Sequence, residues 1–177
     1  MRGSGISDHT RSESVVLLGL GNILLSDEGV GVHVINAIRR GYDFSPGIEV
    51  VDGGVMGLDL LPLFQMHGRI VIVDAVDFGK TPGHSGMVPG EEIHAVLNTR
   101  LSAHHLGLSD ILCASKLVCE RPPEVRLIGI QPASFEVGLN MSPVIQEKIG
   151  LLIGLVLGTL RDWGIEFRER SFSKLPE

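Results

Sequence analysis

The stretch Val15-Val16-Leu17-Leu18-Gly19-Leu20-Gly21-Asn22-Ile23-Leu24-Leu25-Ser26-Asp27-Glu28-Gly29 decides the fold. Its first part is a continuous apolar run stopped by glycine, the pattern of a strand buried on both faces. A loop over 19–27 follows, after which Val30, Val34, Ile35 and Ile38 recur at helical spacing. The spacing predicts a helix over 28–40, with Asp27 as its N-cap and Gly41 closing it. Strand, tight loop and helix open a doubly wound sheet. Ligands of such sheets bind in the crevice beyond the carboxyl ends of the strands.

The rest of the chain repeats this rhythm. Ile48-Glu49-Val50-Val51 reads as a second strand, turned by Asp52-Gly53-Gly54. A helix is expected over 57–66, with Leu58, Leu61 and Phe64 on one face, and a third strand over 69–74. Then come a loop over 77–83, an edge strand at 85–88, a short helix within 91–98 and a longer helix over 106–120, broken by Arg121-Pro122-Pro123. A strand over 124–130 precedes a last helix that starts at Ser142-Pro143 and ends near Gly164. Gly150, Gly154 and Gly158 recur at every fourth position of that helix and are expected to let it pack closely on the sheet. The fold class is therefore α/β, with a mostly parallel, twisted sheet covered by helices on both faces. Residues 14–164 are expected to be one domain, between a disordered leader (1–13) and a fraying C-terminal tail (165–177).

Composition narrows the function. A chain of 177 residues that is 44% hydrophobic and 20% charged suits a single globular core. Its net charge of −6 and scattered basic residues argue against nucleic acid as the partner. The longest apolar stretch, 149–160, is shorter than the roughly 20 residues that span a bilayer, so no membrane insertion is expected. Residues 1–11 lack the apolar segment of a secretory signal. Cys113 and Cys119 match neither a zinc ribbon nor a redox pair, and are read as buried thiols in a reducing cytoplasm.

Three residues stand at the ends of these elements. Glu28 follows the first loop, Asp74 ends the run Ile70-Val71-Ile72-Val73-Asp74, and His104 sits in Ser102-Ala103-His104-His105-Leu106-Gly107, ahead of a helix. Two carboxylates and an imidazole meeting at one crevice make a divalent-metal site with open positions. Each has a plainer reading: Glu28 as a first-turn carboxylate on a helix dipole, Asp74 as a loop cap, His104 as a surface or core histidine. Asp77 adds a carboxylate that need not share Asp74's direction. A dinucleotide fingerprint fails because Leu24 occupies its third glycine, and there is no phosphate-loop lysine, serine-nucleophile elbow or His-Glu-x-x-His.

The same residues carry a resemblance. Gly19 to Gly31, Asp52-Gly53-Gly54 (with Val55 where the family has Thr), Asp74-Ala75-Val76-Asp77, Ser102 to Leu108, Gly129-Ile130-Gln131-Pro132 and Gly138 to Pro143 resemble, in order, the motifs of the hydrogenase maturation endopeptidases. The resemblance implies an α/β/α sandwich. It also implies removal of a C-terminal peptide from the precursor of a nickel–iron hydrogenase large subunit once nickel is in place. Glu28, Asp74 and His104 are then the catalytic and metal-contacting residues, and the nickel, for which other divalent ions could substitute, is supplied by the substrate. A monomer acting in the cytoplasm is expected. The rival classes are a non-catalytic nickel-recognition chaperone, which would cut no peptide bond, and a nucleotide-binding α/β module, which would need a phosphate loop.

Overall fold

The computed structural model describes residues 14–97 and 103–170, with the side chains of 103–106 outside that description. Its strands are β1 (Val15–Leu20), β2 (Tyr42–Phe44), β3 (Ile48–Gly54), β4 (Arg69–Ala75), β5 (Ser85–Pro89), β6 (Glu124–Ile130) and β7 (Phe167–Glu169). The main sheet has the order β3-β1-β4-β6-β5. Its first four members are parallel, and β5 runs antiparallel at the edge. The helices are α1 (Val30–Gly41), α2 (Leu61–Met66), α3 (Ile93–Leu97), α4 (Ala103–Val118), α5 (Pro143–Gln146) and α6 (Ile149–Asp162).

Strand alternation assigns the two faces. Val15, Leu17, Val71, Val73, Ile128 and Ile130 face α1 and α6. Val16, Leu18, Ile70, Ile72 and Leu127 face the layer of α2, α3 and α4. The α/β/α sandwich follows from these two apolar layers on one sheet. All six residues of β1 are buried, as a central parallel strand requires.

Several expectations shift. The first helix does not begin at Glu28: Ser26–Gly29 is a 3-10 turn, and α1 starts at Val30. The last helix is interrupted after Gln146 and resumes at Ile149. The helical stretch Pro143–Asp162, 20 residues with mean hydropathy 1.5, is long and apolar enough to cross a membrane by length and composition. Leu152, Val156 and Leu160 of this stretch are fully buried in the core, the role of a packed inner helix. The glycine stripe is not what packs: a Cβ on Gly150, Gly154 or Gly158 would meet open space. The helix instead seats its leucine and valine face.

Residues 165–170, expected to fray, are held by the body. β7 pairs antiparallel with β2, a strand the sequence pattern did not reveal. Tyr42 and Phe167 meet edge to face at 5.9 Å, and Arg170 Nε donates to Asp43 at 2.7 Å. The leader over 1–13 and residues 171–177 lie outside the described residues.

Two substitutions test the packing. A Cβ on Gly31 would overlap the carbonyl oxygens of Val73 and Leu20, and backbone cannot yield as a side chain does. Gly31→Ala is expected to destabilise the fold by about 3 kcal/mol. Gly154→Ala, in an exposed helix interior, is expected to stabilise it by about 0.5–1 kcal/mol. Denaturant unfolding checks both, and a Gly31→Ala midpoint equal to wild type would refute the close approach.

Candidate active site

The chain leaves β1 at Leu20 and must fold back at once. Gly21 has φ +116°, which L side chains rarely adopt, and a Cβ there would overlap the Glu28 carbonyl oxygen. Beyond the turn, Gly31 lies directly against the carbonyls of Val73 and Leu20. These two approaches press the 26–29 turn onto the carboxyl ends of β1 and β4. Glu28 is thereby held there with 6% exposure, and Asp74, near the end of β4, is fully buried.

Ile70 and Ile72 face the α4 layer, so alternation places Asp74 on that face as well. Its Oδ1 accepts the Ala75 amide at 2.8 Å, which fixes the carboxylate plane. Helix α4 starts at Ala103, so His104 occupies its first turn and does not precede it. A Cβ on Gly107 would lie 3.2 Å from the Gly57 Cα, so the start of α4 sits against the turn that follows β3. The backbone thus places His104 at the end of α4 that meets the turn after β3. The side chains of His104 and His105 lie outside the described residues. Among the described residues, no three of His, Cys, Asp and Glu are grouped as a metal-binding set.

Asp27 was expected to cap the first helix. It does something else. Its buried carboxylate accepts the amides of Ala133, Ser134 and Ser142 at 2.9, 2.9 and 2.6 Å, and the Ser142 hydroxyl at 2.8 Å. Ser142, expected to cap the last helix, instead donates to this carboxylate. One buried charge therefore ties the residue before Glu28 to the loop between β6 and α5. Ser26, at φ 48°, reinforces the tie: its hydroxyl donates to the Glu136 carbonyl and its amide to Gly138. No local spacing announces a bond across 106 to 115 residues, so sequence reasoning missed Asp27.

Asp77 Oδ1 accepts the Gly79 amide in a surface turn, and Asp52 accepts from Asn36 at 3.2 Å. Cys113 is exposed rather than buried, and Cys119 is half-buried; both are free thiols. The amides of Gly21, Leu24, Leu25 and Ser26 already donate to acceptors within the protein. A phosphate-binding loop needs such amides turned toward its ligand, so the nucleotide reading loses its site.

Asp27→Asn places amide hydrogens opposite donors that now meet a carboxylate, and is expected to destabilise the fold by about 3 kcal/mol. Asp77→Asn is expected to change stability by less than about 0.5 kcal/mol. Urea unfolding of the two variants checks the contrast; equal midpoints would refute the tie.

Comparison with known proteins gives a consistent result. A family profile describing hydrogenase maturation proteases (HycI) matches residues 32–159. The chain is 34% identical over 153 residues to the hydrogenase 2 maturation protease of Escherichia coli K12, covering 86% of this chain and 93% of that one. It is 33% identical over 158 residues to the hydrogenase expression/formation protein HupD of Rhodobacter capsulatus, covering 88% and 75%. The structure of the hydrogenase maturating endopeptidase HybD from Escherichia coli superposes with a TM-score of 0.85 at 34% identity, over 90% of this chain and 99% of that one. The nickel–iron hydrogenase maturation protease HybD from Thermococcus kodakarensis superposes with a TM-score of 0.70 at 27% identity, covering 82% and 98%. This α/β chain belongs to the hydrogenase maturation protease family and is a hydrolase acting on peptide bonds.

Proposed function

We propose that this protein removes the C-terminal peptide from the nickel-loaded precursor of a nickel–iron hydrogenase large subunit, and that Glu28, Asp74 and His104 contact the nickel carried by that precursor. The observation that supports the reading is the pair of buried carboxylates, Glu28 and Asp74, at the carboxyl end of the sheet; His104 stands in the first turn of α4. Burying carboxylates is costly unless they are hydrogen-bonded or meet a cation. A metal centre carried by the substrate would meet both carboxylates there. Carboxylate oxygens and neutral imidazole are competent nickel ligands, and other divalent ions can use the same donors.

The metal belongs to the substrate, so the protease needs only to orient it. Nickel held by Glu28, Asp74 and His104 would supply Lewis acidity that lowers the pKa of a nearby water, and a crevice carboxylate would take the proton of that water as it attacks the scissile carbonyl and return it to the leaving amine. The free thiols fit a reducing cytoplasm, where we place the protein, acting as a monomer on the precursor.

The test uses metal-stripped protein with nickel-free and nickel-loaded precursor, and reads the mass of the large subunit. Only the nickel-loaded precursor is expected to lose its C-terminal peptide. Equal cleavage of both would overturn the role of nickel, and an unchanged mass would favour a nickel-recognition chaperone. Glu28→Gln and His104→Ala are each expected to slow processing by at least about 100-fold, with melting within a few degrees of wild type. Normal processing by either variant would remove that residue from the site.

A further inference from the structure

A small cleft of about 60 Å³ lies between the turn after β3 and the start of α4. Its walls are Leu20, Leu60, Leu108 and Ile111, all nearly fully buried, and no charged side chain lines it. Its mouth is Val55, which is 63% exposed and stands beside the exposed Met56 and Leu58. Gly54 and Gly107 contribute only backbone.

The location ties this cleft to the crevice. The Gly21 amide donates to the Gly54 carbonyl at 2.9 Å, joining one edge of the cleft to the loop that carries Glu28. Gly107, on the other edge, lies three residues along α4 from His104. Asp74 faces the same layer. The cleft mouth thus opens at the same end of the sheet as Glu28 and Asp74, within reach of a polypeptide bound there.

Size and chemistry choose the occupant. The volume is several times the roughly 10–15 Å³ that one water needs, but the apolar walls give water few partners. It is far below the roughly 300–1,000 Å³ of a small-molecule site. One aliphatic side chain matches both the volume and the lining. Exposed apolar residues around such a hollow mark an interaction surface.

We propose that this cleft seats a small aliphatic side chain of the precursor, from a residue close to the cleaved bond, and so sets which sequences the protease accepts. The proposal rests on the processing reaction assigned above and adds a specificity subsite to it. Such a subsite discriminates one side chain from another by about 10-fold or more in kcat/KM.

The experiment uses nickel-loaded precursor in which each of the three residues on either side of the cleaved bond is replaced in turn by Asp. Wild type, Val55→Asp and Val55→Lys are compared on every substrate. At one naturally aliphatic position, Asp is expected to lower the wild-type kcat/KM at least about 10-fold, mainly through KM. Val55→Lys is expected to recover most of that loss for that substrate alone, while Val55→Asp cleaves the unaltered precursor at least about 10-fold less well. Val55 is exposed, so circular dichroism of both variants should match wild type.

If wild type cleaves the unaltered precursor but no flanking position discriminates, the subsite does not exist. A Val55 variant that changes all substrates by one factor, or none of them, overturns it equally. So does a wild-type dimer in sedimentation that Val55→Asp dissociates, because the surface would then belong to a second copy of the chain. Failure of wild type to cleave the unaltered precursor would instead refute the processing reaction itself.

Discussion

The structure depends on one steric constraint: the 26–31 segment must lie in direct contact with the carboxyl ends of β1 and β4. Gly31 against the carbonyls of Val73 and Leu20, and Gly21 against the carbonyl of Glu28, leave no room for a Cβ at either position. The consequence reaches past packing. A larger residue at either point would lift the turn off the sheet and carry Glu28 away from Asp74. The glycines that resemble a nucleotide loop in sequence serve here to bring backbone to backbone. The ligand end of the sheet is then lined by carboxylates instead of free amides.

Steric contact sets where the turn sits; Asp27 holds it there. A buried carboxylate is stable only when its lone pairs are satisfied, and four donors from the 133–142 loop do this. The charge of Asp27 is thus committed to structure. Glu28, its neighbour, is nearly buried at the carboxyl end of the sheet. In a 3-10 turn successive side chains point about 120° apart, so Asp27 and Glu28 leave the turn in different directions. The loop fastened by Asp27 also exposes Val137 and Leu139 beside Ile23 and Leu24, through the parallel bridge between Leu25 and Gly138. These four side chains form an exposed apolar group beside the turn that carries Glu28.

Much of the architecture was legible because continuous apolar runs and helical spacing report burial directly. Val15–Leu18, Ile70–Val73 and the α1 positions Val30, Val34, Ile35 and Ile38 all occupy the core they predicted. The elements that escaped are those fixed by distant partners. β2 is three residues long and exists because Phe167 and Arg170 return to it. The glycine stripe of α6 mimics a close-packing face, yet what decides the helix's rotation is the row Leu152, Val156 and Leu160. Asp27 looked like a cap because a cap is the local use of an aspartate before a helix. Its actual partners lie more than 100 residues away. For the candidate site, sequence located Glu28, Asp74 and His104 at element ends. The face on which Asp74 stands and the fold of the 21–29 loop came only from the structure.

One element links both halves of the recognition problem. Helix α4 carries His104 in its first turn and, within the next two turns, Gly107, Leu108 and Ile111 of the apolar cleft. Leu108 and Ile111 are packed against the sheet at 1% exposure, so the helix cannot slide or rotate without disturbing the core. A side chain seated in the cleft therefore meets a wall whose position relative to His104 is fixed. Cleavage at a defined bond requires such a fixed offset. On the proposed reading, a metal centre held by Glu28, Asp74 and His104 would register the precursor at one end and an aliphatic side chain in the cleft would register it at the other, on a framework that does not need to rearrange.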